Sequence, residues 1–170
     1  MNACPFSFRL EAPADCAEID ILHAQAFGPG RFARAAFRLR EGVPHDPSLS
    51  FVATLDGVLV ASVRLTPIRI GGRPALLLGP LAVKPAHKGR GAGKALVRRA
   101  LAAARDMGHA VVLLVGDEPY YGPLGFVRLT RNAITLPAPV DPDRVLVAGL
   151  TPGALDGLVG KAERIVAGCG

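Results

Sequence analysis

The stretch Lys88-Gly89-Arg90-Gly91-Ala92-Gly93-Lys94 has the residue types and spacing best suited to holding an anion. Its glycines let the backbone approach a ligand closely. A helix that starts directly after them presents unpaired N–H donors at its positive end. Lys88, Arg90 and Lys94 add side-chain charge to the same place, so the expected ligand is phosphorylated. Two nucleotide loops fail at named residues. A Walker A loop would need glycine where Lys88 stands and a hydroxyl where Ala95 stands. The Gly-x-Gly-x-x-Gly fingerprint fails at Lys94 when counted from Gly89, and at Leu96 when counted from Gly91.

A second cluster, Asp117-Glu118-Pro119-Tyr120-Tyr121, joins carboxylates to phenols. Either carboxylate could accept a proton, and either could cap the short helix that Pro119 suits in its first turn. A phenol of ordinary pKa, about 10, stays protonated at pH 7 and can act as an acid.

The elements around these clusters are legible. Leu76-Leu77-Leu78 meets Gly79-Pro80 and resumes as Leu81-Ala82-Val83, which reads as a long strand entering the glycine loop. Proline lacks the N–H of a central ladder, so Pro80 predicts a bulge or a parting from the neighbouring strand. From Gly91 to about Met107 a helix is expected, with Leu96, Ala100, Ala103 and Met107 along one stripe, Val97, Leu101 and Ala104 beside it, and Gly108 at its C-cap. The apolar run Ala110 to Val115 suits a strand covered on both faces.

Upstream, Ser7 to Glu11 reads as an edge strand. Asp15, with Glu18 three residues on, reads as the N-cap of a helix bearing Ile19, Leu22, His23, Ala26 and Phe27. A second helix is expected over Arg31 to Arg40, ahead of a loop at Pro44 to Ser48. Phe51 to Leu55 and Val58 to Leu65 form a hairpin about Asp56-Gly57, and Gly71-Gly72 turns into the long strand. Downstream, Gly125-Phe126 restarts a strand, Pro137 to Pro142 is a connector, Arg144 to Leu150 is a strand, and Thr151-Pro152 opens a terminal helix.

At 170 residues, half of them apolar, the chain is expected to form a single domain spanning 1–170 without disulfide or metal support. Cys4, Cys16 and Cys169 are odd in number and lack metal-ligand spacing, and the histidines are scattered. These features predict a reducing cytoplasmic setting and no metal. The N-terminal stretch lacks a basic region followed by an apolar one, and no run of about eighteen apolar residues occurs, so neither export nor membrane spanning is expected. The formal charge of +6 invites a nucleic-acid reading. The charge is densest around the loop and its helix, from Lys84 to Arg105, where it suits a phosphorylated coenzyme instead. No zinc finger, RNA-binding aromatic signature or lysine-rich tail accompanies it.

With both nucleotide loops excluded, Lys88 to Gly93 resembles the Gln/Arg-x-x-Gly-x-Gly/Ala loop of the GNAT acyltransferases. Tyr121-x-x-x-Gly125-Phe126 resembles their Tyr-x-x-x-Gly-Phe signature. Leu49-Ser50-Phe51-Val52-Ala53, Gly79 to Pro85, Gly116-Asp117-x-x-Tyr120-Tyr121 and Pro152-Gly153-Ala154-Leu155 narrow the resemblance to the YhbS-like predicted N-acetyltransferases.

The resemblance implies an α/β (α+β) GNAT fold: a mixed, mostly antiparallel sheet with a splayed, bulged strand and flanking helices. It implies acetyl-coenzyme A as co-substrate, with the pyrophosphate on Lys88, Gly89, Arg90, Gly91, Ala92, Gly93 and Lys94. The pantetheine arm would lie along Leu81, Ala82 and Val83, and Tyr120 would pack against the coenzyme. Tyr121 would be the general acid by that resemblance; Asp117 and Glu118, at the end of the fifth strand, are the candidate bases from their position, and the Val83 N–H is an expected oxyanion donor. The first two helices would flank the entrance for a small-molecule or peptide amine, and a homodimer through the C-terminal strand is open. Lys88 departs from the family pattern, as does Ala61 where a glycine is common. The splayed strand also lacks the Glu or Asp that many relatives keep as a base. That last departure leaves a second reading, a non-catalytic coenzyme A-binding module on the same fold.

Overall fold

The computed structural model describes residues 4–165. Its sheet begins as a meander: β1 (Ser7–Leu10), β2 (Phe51–Leu55), β3 (Val58–Ile70) and β4 (Arg73–Val83) pair antiparallel in that order. The two tight turns are set by residues at positive φ, Asp56 (51°) with Gly57 (80°) and Gly71 (55°) with Gly72 (81°). Paired left-handed residues match the twist of the strands they join. β3 runs to Ile70, five residues past the expected Leu65. Pro67 falls where β2 pairing has ended and pairing with β9 (Gly160–Arg164) has yet to begin.

β4 reaches β5 (Val111–Val115) through α3 (Ala92–Asp106), and the two strands pair parallel only at Leu76–Val112 and Leu77–Leu113. β8 (Val145–Gly149) continues the sheet on β5, β6 (Val127–Arg128) lies outside it, and the short β7 (Ile134–Thr135) pairs parallel with β9. The sheet is therefore mixed and mostly antiparallel, with helices on both faces. On one face α3 buries Leu96, Val97, Ala100, Leu101 and Ala104 against Leu65, Leu76 and Val112. Val97, Leu101 and Ala104, expected beside the stripe, are buried with it, whereas Met107 is half exposed. On the other face, α1 (Cys16–Phe27) covers Val52, Leu59 and Ala82 with Ile19 and Leu22, and α2 (Ala35–Arg40) covers Ile68 and Leu77 with Leu39.

Three expectations need correction. Asp15 does not cap α1 with its side chain. Its carboxylate accepts from Arg9 Nη1 and Nη2 at 2.7 and 2.8 Å and from the Ala12 N–H at 2.8 Å, closing a short 3-10 turn ahead of the helix. The helix expected from Arg31 to Arg40 is divided: a 3-10 segment, Pro29–Ala33, is separated from α2 by extended backbone at Arg34. The terminal helix expected from Thr151 is absent; turns lead to β9 instead. Gly153 and Gly157 sit at φ 73° and 67°, which α-helix cannot use. Gly160 then meets the β3–β4 turn so closely that a Cβ on it would lie 2.7 Å from Gly71 Cα. Cys169 lies outside the described residues.

Candidate acetyl-transfer site

The site is built where β4 and β5 part. Leu78, Gly79 and Pro80 follow the last β4–β5 pair, and Gly79 and Pro80 together stand opposite Arg64 of β3, so the expected bulge is present. Beyond the bulge β4 returns to β3, with Lys84 N–H donating to the Val60 carbonyl at 2.8 Å. In an antiparallel ladder bonded and non-bonded pairs alternate. Ala82–Ser62 is then a bonded pair, while Leu81–Val63 and Val83–Ala61 turn their N–H and C=O groups away from β3. Those groups face the gap that β5 has left. Ala82, by contrast, has its backbone engaged by β3 and its side chain buried beneath α1, away from the gap.

The strand hands directly to the glycine loop. Gly89 and Gly91 have φ of 76° and 92°, left-handed values at which an L side chain costs about 1–2 kcal/mol. The first i→i−4 bond of α3 runs from Ala95 N–H to the Gly91 carbonyl, so the N–H groups of Ala92, Gly93 and Lys94 precede it and have no carbonyl of their own helix. Gly93 makes the join compact. A Cβ there would lie 2.6 Å from the Tyr120 hydroxyl and 3.4 Å from Val83 Cγ2, so glycine lets α3, β4 and the tyrosine segment converge. Lys94 Nζ lies 5.4 Å from the Tyr120 ring centroid, and Arg90 reaches over Phe6 at 5.4 Å.

On the opposite wall, α4 (Glu118–Tyr121) follows β5. Asp117 holds the N-cap position without capping through its side chain, and its carbonyl accepts from Tyr120 and Tyr121 N–H at 3.1 Å. The exposed carboxylate meets Arg144 Nε at 3.2 Å instead. Glu118 is drawn to Arg128. Tyr121 is wedged between Tyr120 and Phe126, with ring centroids 4.8 and 5.8 Å away. It passes so close to Gly116 that a Cβ there would lie 2.9 Å from its Cδ2. Burial above all, then Tyr120 and Asp117, pushes the Tyr121 pKa up to about 12.

These parts open into one cleft of about 1290 Å³. Leu81, Val83, Lys88, Gly89, Ala92 and Gly93 form one wall of it, and Asp117, Tyr120 and Tyr121 another. Arg90, Gly91 and Lys94 stand beside the cleft rather than on its wall, with Gly91 and Arg90 exposed.

The cleft is also lined by side chains that motif reading did not single out, among them Arg64, His45 and His23. Arg64 donates to the buried Glu11 carboxylate from Nη2 at 2.7 Å and Nε at 3.0 Å, and His45 Nε2 lies 3.2 Å from the same carboxylate. His23 is also buried, and among the described residues its Nε2 has no partner. Burial first, then the guanidinium groups of Arg64, Arg40 and Arg31, push its pKa down to about 4, so it is neutral at pH 7. The only sequence signal for His23 was its helical spacing with Ile19 and Leu22. No group of three potential metal ligands occurs among the described residues, nor does a helix long and apolar enough to cross a membrane.

The arrangement combines free strand edges, an anion-binding loop and a protonated phenol, a geometry suited to acyl transfer from a phosphorylated thioester. Known proteins agree. An uncharacterized N-acetyltransferase of Escherichia coli, YjhQ, is 31% identical over 130 residues, covering 74% of this chain and 72% of its own. The E. coli GNAT N-acetyltransferase YhbS, solved with CoA, superposes with a TM-score of 0.81 at 28% identity, over 97% of this chain and 92% of that one. A Brucella melitensis GNAT acetyltransferase solved with acetyl-CoA gives a TM-score of 0.70 at 27% identity, over 97% and 99% of the two chains. The sequence profile of the Acetyltransferase (GNAT) family matches residues 17–126, from α1 through Phe126, and the chain belongs to that family.

Proposed function

We propose that this chain, acting as a single domain, is an acetyl-CoA-dependent N-acetyltransferase that acylates a primary amine of a small molecule or peptide by direct attack on the thioester. The observation behind this reading is the opening of the β4–β5 gap, the glycine loop and Tyr121 into one cleft. The residues present fit the coenzyme. The N–H groups of Ala92, Gly93 and Lys94, with Lys88 and Arg90, hold the pyrophosphate. Leu81 and Val83 offer the pantetheine amides an unpaired strand edge. The co-substrate supplies an activated acetyl group; the protein orients it and manages charge and protons.

The amine attacks as the free base, its nitrogen forming the new C–N bond as the C–S bond breaks. A N–H of β4 at Leu81 or Val83 donates to the thioester oxygen as negative charge gathers there. Asp117, on the cleft wall at the end of β5, receives the nitrogen's proton directly or through water. Tyr121 donates a hydrogen bond from its hydroxyl to the departing sulfur, which leaves as a thiolate and takes its proton from water.

The test is calorimetry of acetyl-CoA binding to the wild type and to Gly91→Glu, followed by turnover with a panel of amines. Micromolar binding abolished in the variant, and an acetylated amine, are the expected results. Binding without turnover on any amine would leave a coenzyme A-binding module. No binding by folded wild-type protein would overturn the reading.

A further inference from the structure

The acceptor end of the cleft holds more positive charge than the coenzyme accounts for. Arg31, Arg34, Arg40 and Arg64 line it, and Asp20 is the acid on the same wall. Most of these cations are occupied. Arg64 is clamped on Glu11, Arg31 Nη1 donates to the Gly28 carbonyl at 2.7 Å, and Arg34 lies over the Phe27 ring at 5.5 Å. Arg40 also lies over an aromatic ring, that of Phe37 at 5.9 Å, but unlike the exposed Arg34 it is partly buried, and among the described residues its guanidinium has no carboxylate or carbonyl partner. Its Nη1 lies 3.3 Å from where a Cβ of Gly79 would stand, against the bulge at which β4 leaves β5. Burial, and then Arg64, push its pKa down to about 10, still charged at pH 7. The neighbouring His23 imidazole is neutral and offers no counter-charge.

The position also says which ligand would supply the missing anion. From Gly79 to Lys84, just past the end of β4, the chain runs five residues, roughly 16 Å at about 3.3 Å each, and the phosphate loop starts beyond it. The coenzyme's phosphates, held at the head of α3, are therefore remote from Arg40, whereas the thioester end of the gap is adjacent. One planar guanidinium with a neutral imidazole nearby suits a planar monoanion, which a guanidinium can grip through two parallel hydrogen bonds.

We infer that Arg40 binds a carboxylate carried by the amine acceptor, so that the substrate class is amines bearing a carboxylate, such as amino acids or peptides ending close to the amine. This rests on the acetyl-transfer reading above. The bulge aligns the acyl group and Arg40 aligns the acceptor from the opposite side, so that one feature of β4 serves both substrates.

The experiment compares matched acceptors with acetyl-CoA held constant: glycine, β-alanine and glycylglycine against their C-terminal amides, for wild type, Arg40→Gln and Arg40→Lys. Wild type is expected to prefer the acids in kcat/KM by about ten- to a hundredfold. Arg40→Gln should bring the ratio toward one, and Arg40→Lys should restore part of it, with the KM for acetyl-CoA unmoved throughout. Equal use of acids and amides by wild type, or a preference that survives Arg40→Gln, overturns the inference while leaving acetyl transfer intact. If no amine is turned over, calorimetry of N-acetylglycine against N-acetylglycinamide, titrated into the CoA complex, decides independently. Tighter, Arg40-dependent binding of the acid supports the carboxylate site, and equal binding of the two overturns it.

Discussion

Tyr121→Phe is the substitution that interrogates the mechanism most directly. It removes one hydroxyl from a ring that stays wedged between Tyr120, Phe126 and Gly116, so packing is retained. The magnitude follows from the protonation state. With its pKa pushed up to about 12, Tyr121 carries its proton across the whole working range of an enzyme. A thiol has an ordinary pKa of about 8.5, so complete transfer to a free thiolate is uphill by roughly 3.5 pH units, or about 5 kcal/mol. The phenol therefore acts chiefly as a charge-assisted donor to the forming thiolate, worth about 1.5–3 kcal/mol. That converts to a fall in kcat of about ten- to 150-fold, below the largest effects of general acids. Burial is the first cause of the shift and opposes the charged phenolate. The acid form is thus present below pH 12 and lost only above it, and Tyr121 imposes no alkaline limb on the pH profile up to pH 10. Steady-state kinetics with a saturating amine, with acetyl-CoA affinity measured separately by calorimetry, reads both consequences. A fall in kcat of less than threefold would refute the donor role. So would an alkaline limb below pH 10 that disappears in Tyr121→Phe, because the proton would then be held far less tightly than burial demands.

The legible parts of the molecule were those written in local chemistry. Asp56-Gly57 and Gly71-Gly72 announce their turns because positive φ is confined to few residue types, and the strands between them follow in order. Pro80 announces the bulge for a similar reason: a missing N–H cannot be supplied from elsewhere. The family resemblance placed the pantetheine arm along Leu81, Ala82 and Val83, and of these the ladder leaves the edges of Leu81 and Val83 free. Long-range commitments were not legible. Asp15 matches an N-cap signature, yet Arg9 of the edge strand takes its carboxylate. Thr151-Pro152 opens like a helix, but β9 docks on the β3–β4 turn through the facing glycines 71 and 160, a fit that only the assembled sheet defines. Glu11 and Arg64, 53 positions apart, share no motif. In the sequence Arg40 is one of four arginines, with Arg31, Arg34 and Arg38, that fit an acidic substrate and a solvated helix face equally, and only the break at Arg34 and the position of Gly79 set it apart.

Gly116→Ala should lower kcat by about tenfold or more while leaving acetyl-CoA affinity within twofold, because the new methyl enters the Tyr121 ring and displaces its hydroxyl. Kinetics and calorimetry on one preparation check it, and an unchanged kcat would mean the ring has room to move. In the coenzyme loop, Gly91→Ala adds no clash but imposes left-handed strain, so a loss of about 1–2 kcal/mol in stability with binding weakened by less than Gly91→Glu is expected. Equal loss of binding in the two variants would show that backbone conformation, rather than anion repulsion, governs that position. The Glu11 cluster supplies the sharpest stability test. The Glu11 side chain is 2% exposed and that of Arg64 15%, so Glu11→Ala leaves a buried guanidinium without its counter-ion and should cost about 3–5 kcal/mol in urea unfolding. His45 cannot compensate, since burial already disfavours its charged form and its imidazole would be a second cation. Arg64→Met, which removes the other charge but keeps an apolar side chain of similar length, leaves Glu11 with His45 alone as its side-chain partner and should also destabilise. The double variant Glu11→Ala with Arg64→Met should recover much of the combined loss, because no unpaired charge remains. Strictly additive losses would mean that the pair, despite its bidentate geometry, does not tie the segment after β1 to β3.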